Sequence, residues 1–305
     1  MTNKLTVLAA SVIAALAVSG QALAKDAPRV GMSFQEMNNP YFTTMHAAVK
    51  EAVSIFGDKA VLYVADARHD VTKQISDVED MLEKGIDILL LNPADSEGVQ
   101  RAVVEAKNKG VIIVSIDAQA KGPVDSFVGS KNYDAGLLSC GALAREIGGK
   151  GDVAILDGIP VVPILERVRG CKDALAKFPD IKMVTLQNGR QERDIAMSTT
   201  ENILQSQPNL KGLFSVNDEG SMGALAAITA SGKNIVLTSV DGSPEAIKAI
   251  TAGTAFKATA AQFPRDQVRI GFGIALAKYL GANVPAEIPI DVKLIDKSNA
   301  QGFSW

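Results

Sequence analysis

From Arg29 onward, short apolar runs rich in β-branched residues alternate with longer segments whose apolar positions recur at helical spacing. In the first half the pattern predicts strands at Arg29 to Phe34, Ala60 to Ala65, Ile86 to Leu91, Val111 to Ile116 and Ser126 to Val128. Helical stretches lie between them, at Tyr41 to Phe56, Val71 to Lys84 and Ser96 to Lys109. Gly57, Gly85 and Gly110 stand where each helix should stop, as a left-handed C-cap requires. The pattern then restarts, with strands at Asp152 to Leu156, Ile181 to Leu186, Gly212 to Val216 and Ile235 to Val240. Their helices are Asn132 to Ile147, Leu165 to Lys177, Asp194 to Gln205 and Ser221 to Ala230. Two more strands, Ala255 to Ala261 and Pro289 to Ile295, flank a helix from Gln267 to Leu280. Unbroken apolar strands are buried on both faces, as in a parallel sheet with helices on either side. The expected fold class is α/β, with two Rossmann-like lobes and a cleft between them. No flexible Ser/Gly/Pro linker separates the halves, so several close-set crossovers should form a hinge about that cleft.

In open α/β sheets, ligands bind beyond the carboxyl ends of the strands. The first strand is followed by Gln35-Glu36-Met37-Asn38-Asn39-Pro40-Tyr41-Phe42, and Val111 to Ile116 by Asp117. In the second half, Asp157-Gly158 precedes Arg167, while Asn217-Asp218, Asp241-Gly242 and Gln262 each follow a strand. These are amides, single carboxylates, one guanidinium and two rings. A hydroxyl both donates and accepts, so this inventory suits a neutral, polyhydroxylated ligand, with aromatic faces for its C–H surfaces. Any one of these Asn and Asp residues is explained as a turn former or helix cap. Their recurrence at strand ends in both halves favours a shared site. Asn39-Pro40 reads as an N-cap followed by proline at the first helical position, which leaves Tyr41 and Phe42 facing the cleft. Asn92-Pro93-Ala94-Asp95-Ser96 reads as the same device, with a structural role. Asp218 is expected to cap the following helix and leave Asn217 pointing inward, while Glu36, Glu166 and Glu219 are expected to be solvated or structural.

The N-terminal residues bear on compartment. Lys4 is followed by an apolar run from Leu5 to Val18, broken only by Thr6 and Ser11, and then by Ala22-Leu23-Ala24. This is the form of a secretory signal cleaved after Ala24. The run is too short for a membrane anchor, which takes roughly 20 residues. The expected product is therefore exported and soluble. Its net charge of −3 grows more negative when Lys4 leaves, which argues against nucleic acid as a partner. Cys140 and Cys171 are the only cysteines, and neither lies at metal-ligand spacing from His46 or His69. In an oxidising compartment they either pair or remain two buried thiols. No Gly-x-Gly-x-x-Gly opens a helix after a strand and no P-loop is present, which removes the usual marks of a two-lobed enzyme. No metal or organic cofactor is implied.

The same segments resemble the ribose-binding-protein branch of the periplasmic type I sugar-binding proteins. The resemblance rests on Asn38-Asn39-Pro40-Tyr41-Phe42, Asn92 to Ser96, Glu166-Arg167 with Gly170, Asn217-Asp218-Glu219 with Met222-Gly223-Ala224-Leu225, Asp241-Gly242-Ser243-Pro244 and Ala261-Gln262. It implies two similar lobes joined by three crossovers, near Gly129-Ser130, Gln262-Phe263 and Asp291-Val292. The division would be residues 1–24 as signal, 25–130 with 263–291 as one lobe, and 131–262 with 292–305 as the other. It further implies ligand contacts at Asn39, Tyr41, Phe42, Asp117, Arg167, Asn217, Asp241 and Gln262, with the rings sandwiching the ligand. By the same analogy Cys140 and Cys171 sit on neighbouring helices, where a bridge is conceivable. The implied partners are a sugar or polyol and the membrane permease of an ABC transporter, with a chemoreceptor as a further reading, and the protein is expected to be a monomer. Two positions depart from ribose binders. Asp117 is followed by Ala118 where they have arginine, and Gln191 stands where they place an aromatic residue. A site built to pair particular hydroxyls discriminates strongly, so ribose itself is not the expected best ligand. Linear polyols, inositols or another furanose are. A sugar-responsive repressor shares the lobe pattern, but would carry a basic helix-turn-helix where this chain has its export signal.

Overall fold

The computed structural model describes residues 26–305, and the expected signal segment lies outside the described residues. The first part of the chain runs β1 (Arg29–Phe34), α1 (Pro40–Val53), β2 (Val61–Asp66), α2 (Val71–Glu83), β3 (Ile88–Leu91), α3 (Gln100–Asn108), β4 (Ile112–Ile116) and β5 (Ser126–Ser130). It continues as α4 (Asn132–Glu146), β6 (Lys150–Asp157), α5 (Val162–Leu175), β7 (Asp180–Asn188), α6 (Arg193–Ser206), β8 (Leu210–Ser215) and α7 (Asp218–Ser231). Then come β9 (Val236–Asp241), α8 (Pro244–Thr251), β10 (Phe256–Ala261), α9 (Pro264–Tyr279), β11 (Glu287–Ile290) and β12 (Lys293–Asp296).

The strands form two six-stranded sheets, ordered β11-β5-β4-β3-β1-β2 and β12-β10-β9-β8-β6-β7. All neighbours in the first are parallel. In the second, only β12 runs antiparallel, against β10. β3 is buried at every position, as expected of a strand covered on both faces. One face of the first sheet carries α1 and α9 over Met32, Phe34, Leu90 and Ile116, and the other carries α2 and α3 over Leu89, Leu91 and Ile113. The second sheet is covered in the same way by α4 and α5 on one face and by α6, α7 and α8 on the other. Each fully buried Leu, Ile or Phe side chain in these layers contributes about 1.5–3 kcal/mol relative to exposure.

The chain passes between the sheets three times, at Ser130 to Asn132, Ala261 to Pro264 and Ile290 to Lys293. Pro289 to Ile295 was expected to be one strand. It is two, one in each sheet, separated at Asp291-Val292. Helix α8 was not anticipated; Ser243 caps it by accepting from the Ala246 amide, and Pro244 opens it. Gly85 and Gly110 follow their helices at positive φ, +70° and +79°, as expected of left-handed caps, whereas α1 already ends at Val53 and Gly57 (φ +56°, ψ −133°) kinks the short 3-10 segment after it and does not cap α1.

Helices α4 and α5 pack at backbone distance. A Cβ at Gly136 would lie 2.0 Å from the Arg167 carbonyl oxygen, and one at Gly170 would lie 2.1 Å from that of Tyr133. The two backbones therefore touch where side chains would hold them apart. Cys140, one turn after Gly136, and Cys171, next to Gly170, are joined as a disulfide with their Cα atoms 5.0 Å apart.

Candidate functional site

The loop after β1 is tied down by its own polar groups. Asn92 accepts from the Gln35 amide, and the buried Glu36 carboxylate accepts from the amides of Asn38 and Asn39. Burial pushes the Glu36 carboxyl up to about 7. Asn39 caps α1 by accepting from the Tyr41 amide at 2.9 Å, with Pro40 at the first helical position. The Tyr41 hydroxyl donates to Asp117 Oδ1 at 3.1 Å and accepts from Gln267 Nε2 at 2.9 Å. Burial, with the Asp117 charge beside it, raises the tyrosine well above its ordinary value. Asp117 follows β4 at a φ of +66°, and its Oδ2 accepts from Asn92 Nδ2 at 3.1 Å. Asn92 is thus a buried anchor for the site aspartate, where a helix cap was expected, and α3 begins only at Gln100.

From the second sheet, Arg167 on α5 donates through Nε to Asn132 Oδ1 (2.8 Å) and through Nη1 to the Val216 carbonyl (2.9 Å). The same Nη1 lies 3.6 Å from Asp241 Oδ1. Asp241 closes β9 at a φ of +137°, accepting at Oδ1 from Gln262 Nε2 (2.7 Å) and at Oδ2 from the Asp218 amide (3.2 Å). Asn217, and not Asp218, caps α7, by accepting from the Gly220 amide; its Nδ2 donates to the Gln191 carbonyl. Asp218 is instead buried, accepting from Thr259 Oγ1 at 2.9 Å and the Ser243 amide at 2.7 Å. Its proximity to Asp241 adds repulsion to the burial that raises the Asp241 carboxyl above the usual carboxylate range. Gln191 has a φ of +64° and accepts from the Ile159 amide.

These groups meet in one cavity. Asn39, Tyr41, Phe42 and Asp117 line it from the first sheet's side, Arg167, Gln191, Asn217 and Asp241 from the second's, and Gln262 at a crossing. Gln35, Val161, Pro163 and Ile164 complete the wall. The cavity is small, about 20 Å³, enough for one water. A wider cleft of about 700 Å³ opens beside it, lined by ionisable residues of both sides that include Glu36, His69, Arg190 and Glu219. The sides touch directly where the Val162 amide donates to Ser96 Oγ at 3.2 Å. Two buried acceptors on the cavity wall, Gln35 Oε1 and Gln262 Oε1, have no protein partner. Positive φ at Asp117, Gln191 and Asp241 concentrates backbone strain here, as sites that fix a ligand often do. The rings do not form the expected sandwich. Tyr41 and Phe42 stand edge-to-face at 86°, with Trp305 edge-on to Tyr41 on another side.

Sequence reasoning missed Asn92, Gln35 and Gln267. Gln35 directly follows a predicted strand and was legible in principle. Gln267, which joins the Tyr41 hydroxyl to Ser130, lies inside a helix and gave no local signal. Among the described residues no group of three or more His, Cys, Asp or Glu is placed to hold a metal ion, and no helix is long and apolar enough to cross a membrane.

A family model described as the periplasmic binding protein domain matches residues 30–283. A ribose import binding protein of Haemophilus influenzae is 32% identical over 297 residues, 97% of this chain and 100% of its own length. Among solved structures, a Mycobacterium smegmatis ABC transporter solute-binding protein with bound glycerol superposes with a TM-score of 0.86 at 30% identity, covering 90% of this chain and 96% of its own. A Caulobacter myo-inositol binding protein bound to myo-inositol gives a TM-score of 0.84 at 27% identity, over 92% of this chain and 97% of its own.

Proposed function

The chain belongs to the periplasmic binding protein domain family, and on that premise we propose that it captures a sugar or polyol and hands it to the permease of an ABC transporter. One observation carries the reading. Carboxylates, amides and a guanidinium from both sheets converge on a single closed cavity. A hydroxyl-rich guest would satisfy those groups from both sides at once, so only the closed form makes the full contact set, and binding favours closure. The proposed lobes are 25–130 with 263–291 and 131–262 with 292–305, hinged at the three crossings. In this reading Asp117, Asp241 and Arg167 pair with ligand hydroxyls, and Asn39, Gln191, Asn217 and Gln262 supply further donors and acceptors. Phe42 and Tyr41 offer apolar surface. The relatives that bind ribose, glycerol and myo-inositol support the ligand class, and the Ala118 and Gln191 departures favour a polyol or inositol over ribose.

The proposal includes no catalytic step. The cavity wall holds no Ser, Cys or His nucleophile paired with a base, and its carboxylates are occupied by amide, hydroxyl and guanidinium donors. An exported, periplasmic monomer is the accompanying proposal, supported by the Cys140–Cys171 bridge, which suits an oxidising compartment.

A thermal-shift screen of the mature protein against aldoses, alditols and inositols tests the reading. A ligand present at ~100 times its Kd stabilises by about 2.7 kcal/mol, so a true ligand stands out as a concentration-dependent rise in Tm. No rise with any polyol or sugar at millimolar concentration would refute the reading.

A further inference from the structure

The chain's only tryptophan, Trp305, follows β12 and plays no part in the ligand set described above. Its surroundings link the two sides of the cleft. Trp305 Nε1 donates to the Asp241 carbonyl at 2.8 Å. Its ring stands edge-on to that of Tyr41, with centroids 5.7 Å apart and an interplanar angle of 84°. Two residues earlier, Phe303 packs on the core of the second sheet and lies 6.4 Å from the Phe263 ring. Trp305 itself packs on the core of the first sheet. The segment after β12 therefore crosses back over the hinge, adding a non-covalent connection to the three covalent ones.

We infer that Trp305 is a positioning residue of the binding site, holding Tyr41 of one lobe and the backbone of Asp241 of the other in their ligand-ready places. The inference rests on the sugar or polyol reading above. Asp241 is held at an unfavourable positive φ, and two donors pin its carbonyl, the Gln262 amide at 2.9 Å and the Trp305 indole. Removing the indole leaves the Asp241 carbonyl with one of these two donors. Tyr41, whose hydroxyl is already committed to Asp117 and Gln267, is steadied at its ring by Phe42 and Trp305. Loss of one contact on each lobe makes the site less preorganised, and preorganisation is where affinity is gained without new ligand contacts.

The test compares wild type, W305A and W305F. In ligand-free W305A, backbone hydrogen exchange should quicken in the segments around Tyr41 and around Asp241 to Gln262, while α2 exchanges as in wild type. For a polyol that the wild type binds, W305A should lose affinity by ~10-fold or more, the scale of one hydrogen bond plus one aromatic pair. W305F keeps the ring contact and loses the donor, so its affinity should fall between the two. Unchanged exchange at both segments overturns the inference, as does undiminished polyol affinity in W305A. If the wild type binds no sugar or polyol at all, the functional reading fails separately, and the exchange comparison alone decides whether Trp305 positions these residues.

Discussion

At Asp241, a carboxylate buried beside Asp218 and held at a φ of +137°, folding and binding pull in opposite directions. Desolvation and the neighbouring charge oppose ionisation, and Arg167 at 3.6 Å, with the Asp218 amide and Gln262, offsets them only in part. The Asp241→Asn variant should therefore raise the Tm of the ligand-free protein by ~2–4 °C, equivalent to about 1 kcal/mol. Asparagine tolerates the backbone better than most residues, and Gln262 can turn its unpartnered Oε1 toward the new amide. The same change removes a charged acceptor for ligand hydroxyls, so affinity should fall by ~10- to 100-fold. Calorimetry with the best polyol and a melting curve check both halves; a variant that melts lower and binds normally would remove Asp241 from the site. Glu36 makes a second prediction. Its folded value of about 7 lies above the ordinary 4.5, so between those pH values the folded state holds a proton that the unfolded state has released. Its contribution to stability is present at low pH and is lost as pH rises from about 4.5 to 7. Wild type should lose more Tm than Glu36→Gln between pH 5 and 7.5. Part of the decline should persist in the variant, because burial raises Asp117, Asp218 and Asp241 in the same direction. Parallel curves for the two proteins would count against the buried charge.

The contact of α4 with α5 shows how an element places a site residue. Gly136 and Gly170 let the two backbones touch, and Arg167 lies one turn before Gly170. A methyl group at Gly170 meets the Tyr133 carbonyl, which belongs to backbone and cannot swing aside. Gly170→Ala should thus cost ~2 kcal/mol or more and weaken polyol binding by moving Arg167 away from Asp241. Gly141→Ala is the control. Its methyl would meet only the end of the Arg145 side chain, so it should be neutral or stabilising by up to ~1 kcal/mol. Equal behaviour of the two variants in melting and binding would refute the packing argument. Replacing Cys140 and Cys171 by serine releases a 31-residue separation and should cost about 3–4 kcal/mol of unfolding free energy, measured in denaturant without reductant. Most strands and helices were legible because apolar period reports burial, and the lobe-like repeat followed from their order. The boundary faults share one cause. Hydropathy sees apolar residues but not which sheet they join, so it missed the step at Asp291-Val292 between β11 and β12, which only the family resemblance had implied. Site aspartates were found by their place after strands. Asn92 and Asp218 were misassigned because capping spacing is local, whereas their actual partners, Asp117 and Thr259, come from 25 and 41 residues away.

For the whole molecule, the decisive fact is burial at the site. Asp117, Arg167 and Asp241 are each 5% exposed or less, so a ligand can reach them only if the two sides separate. Three short crossings permit that bending without disturbing either sheet, since the β-ladders of each stay within it. What resists separation is modest: the Val162 to Ser96 contact, the charged lining of the cleft and the Trp305 connection. The first is a single hydrogen bond, the second a solvated ion set and the third one hydrogen bond with one ring pair, together worth only a few kcal/mol, on the order of 1 kcal/mol per contact. Open and closed forms should therefore exchange readily before ligand arrives. Solution scattering of the ligand-free protein should give a larger radius of gyration than the closed structure, and saturating polyol should contract it to the closed value. In Asp241→Asn the same contraction should need ~10- to 100-fold more ligand, following its affinity loss, because a site that reads both lobes couples binding to closure. A radius that stays constant while ligand demonstrably binds would mean that one lobe suffices, and the convergence of Asp117 and Asp241 would then need another explanation.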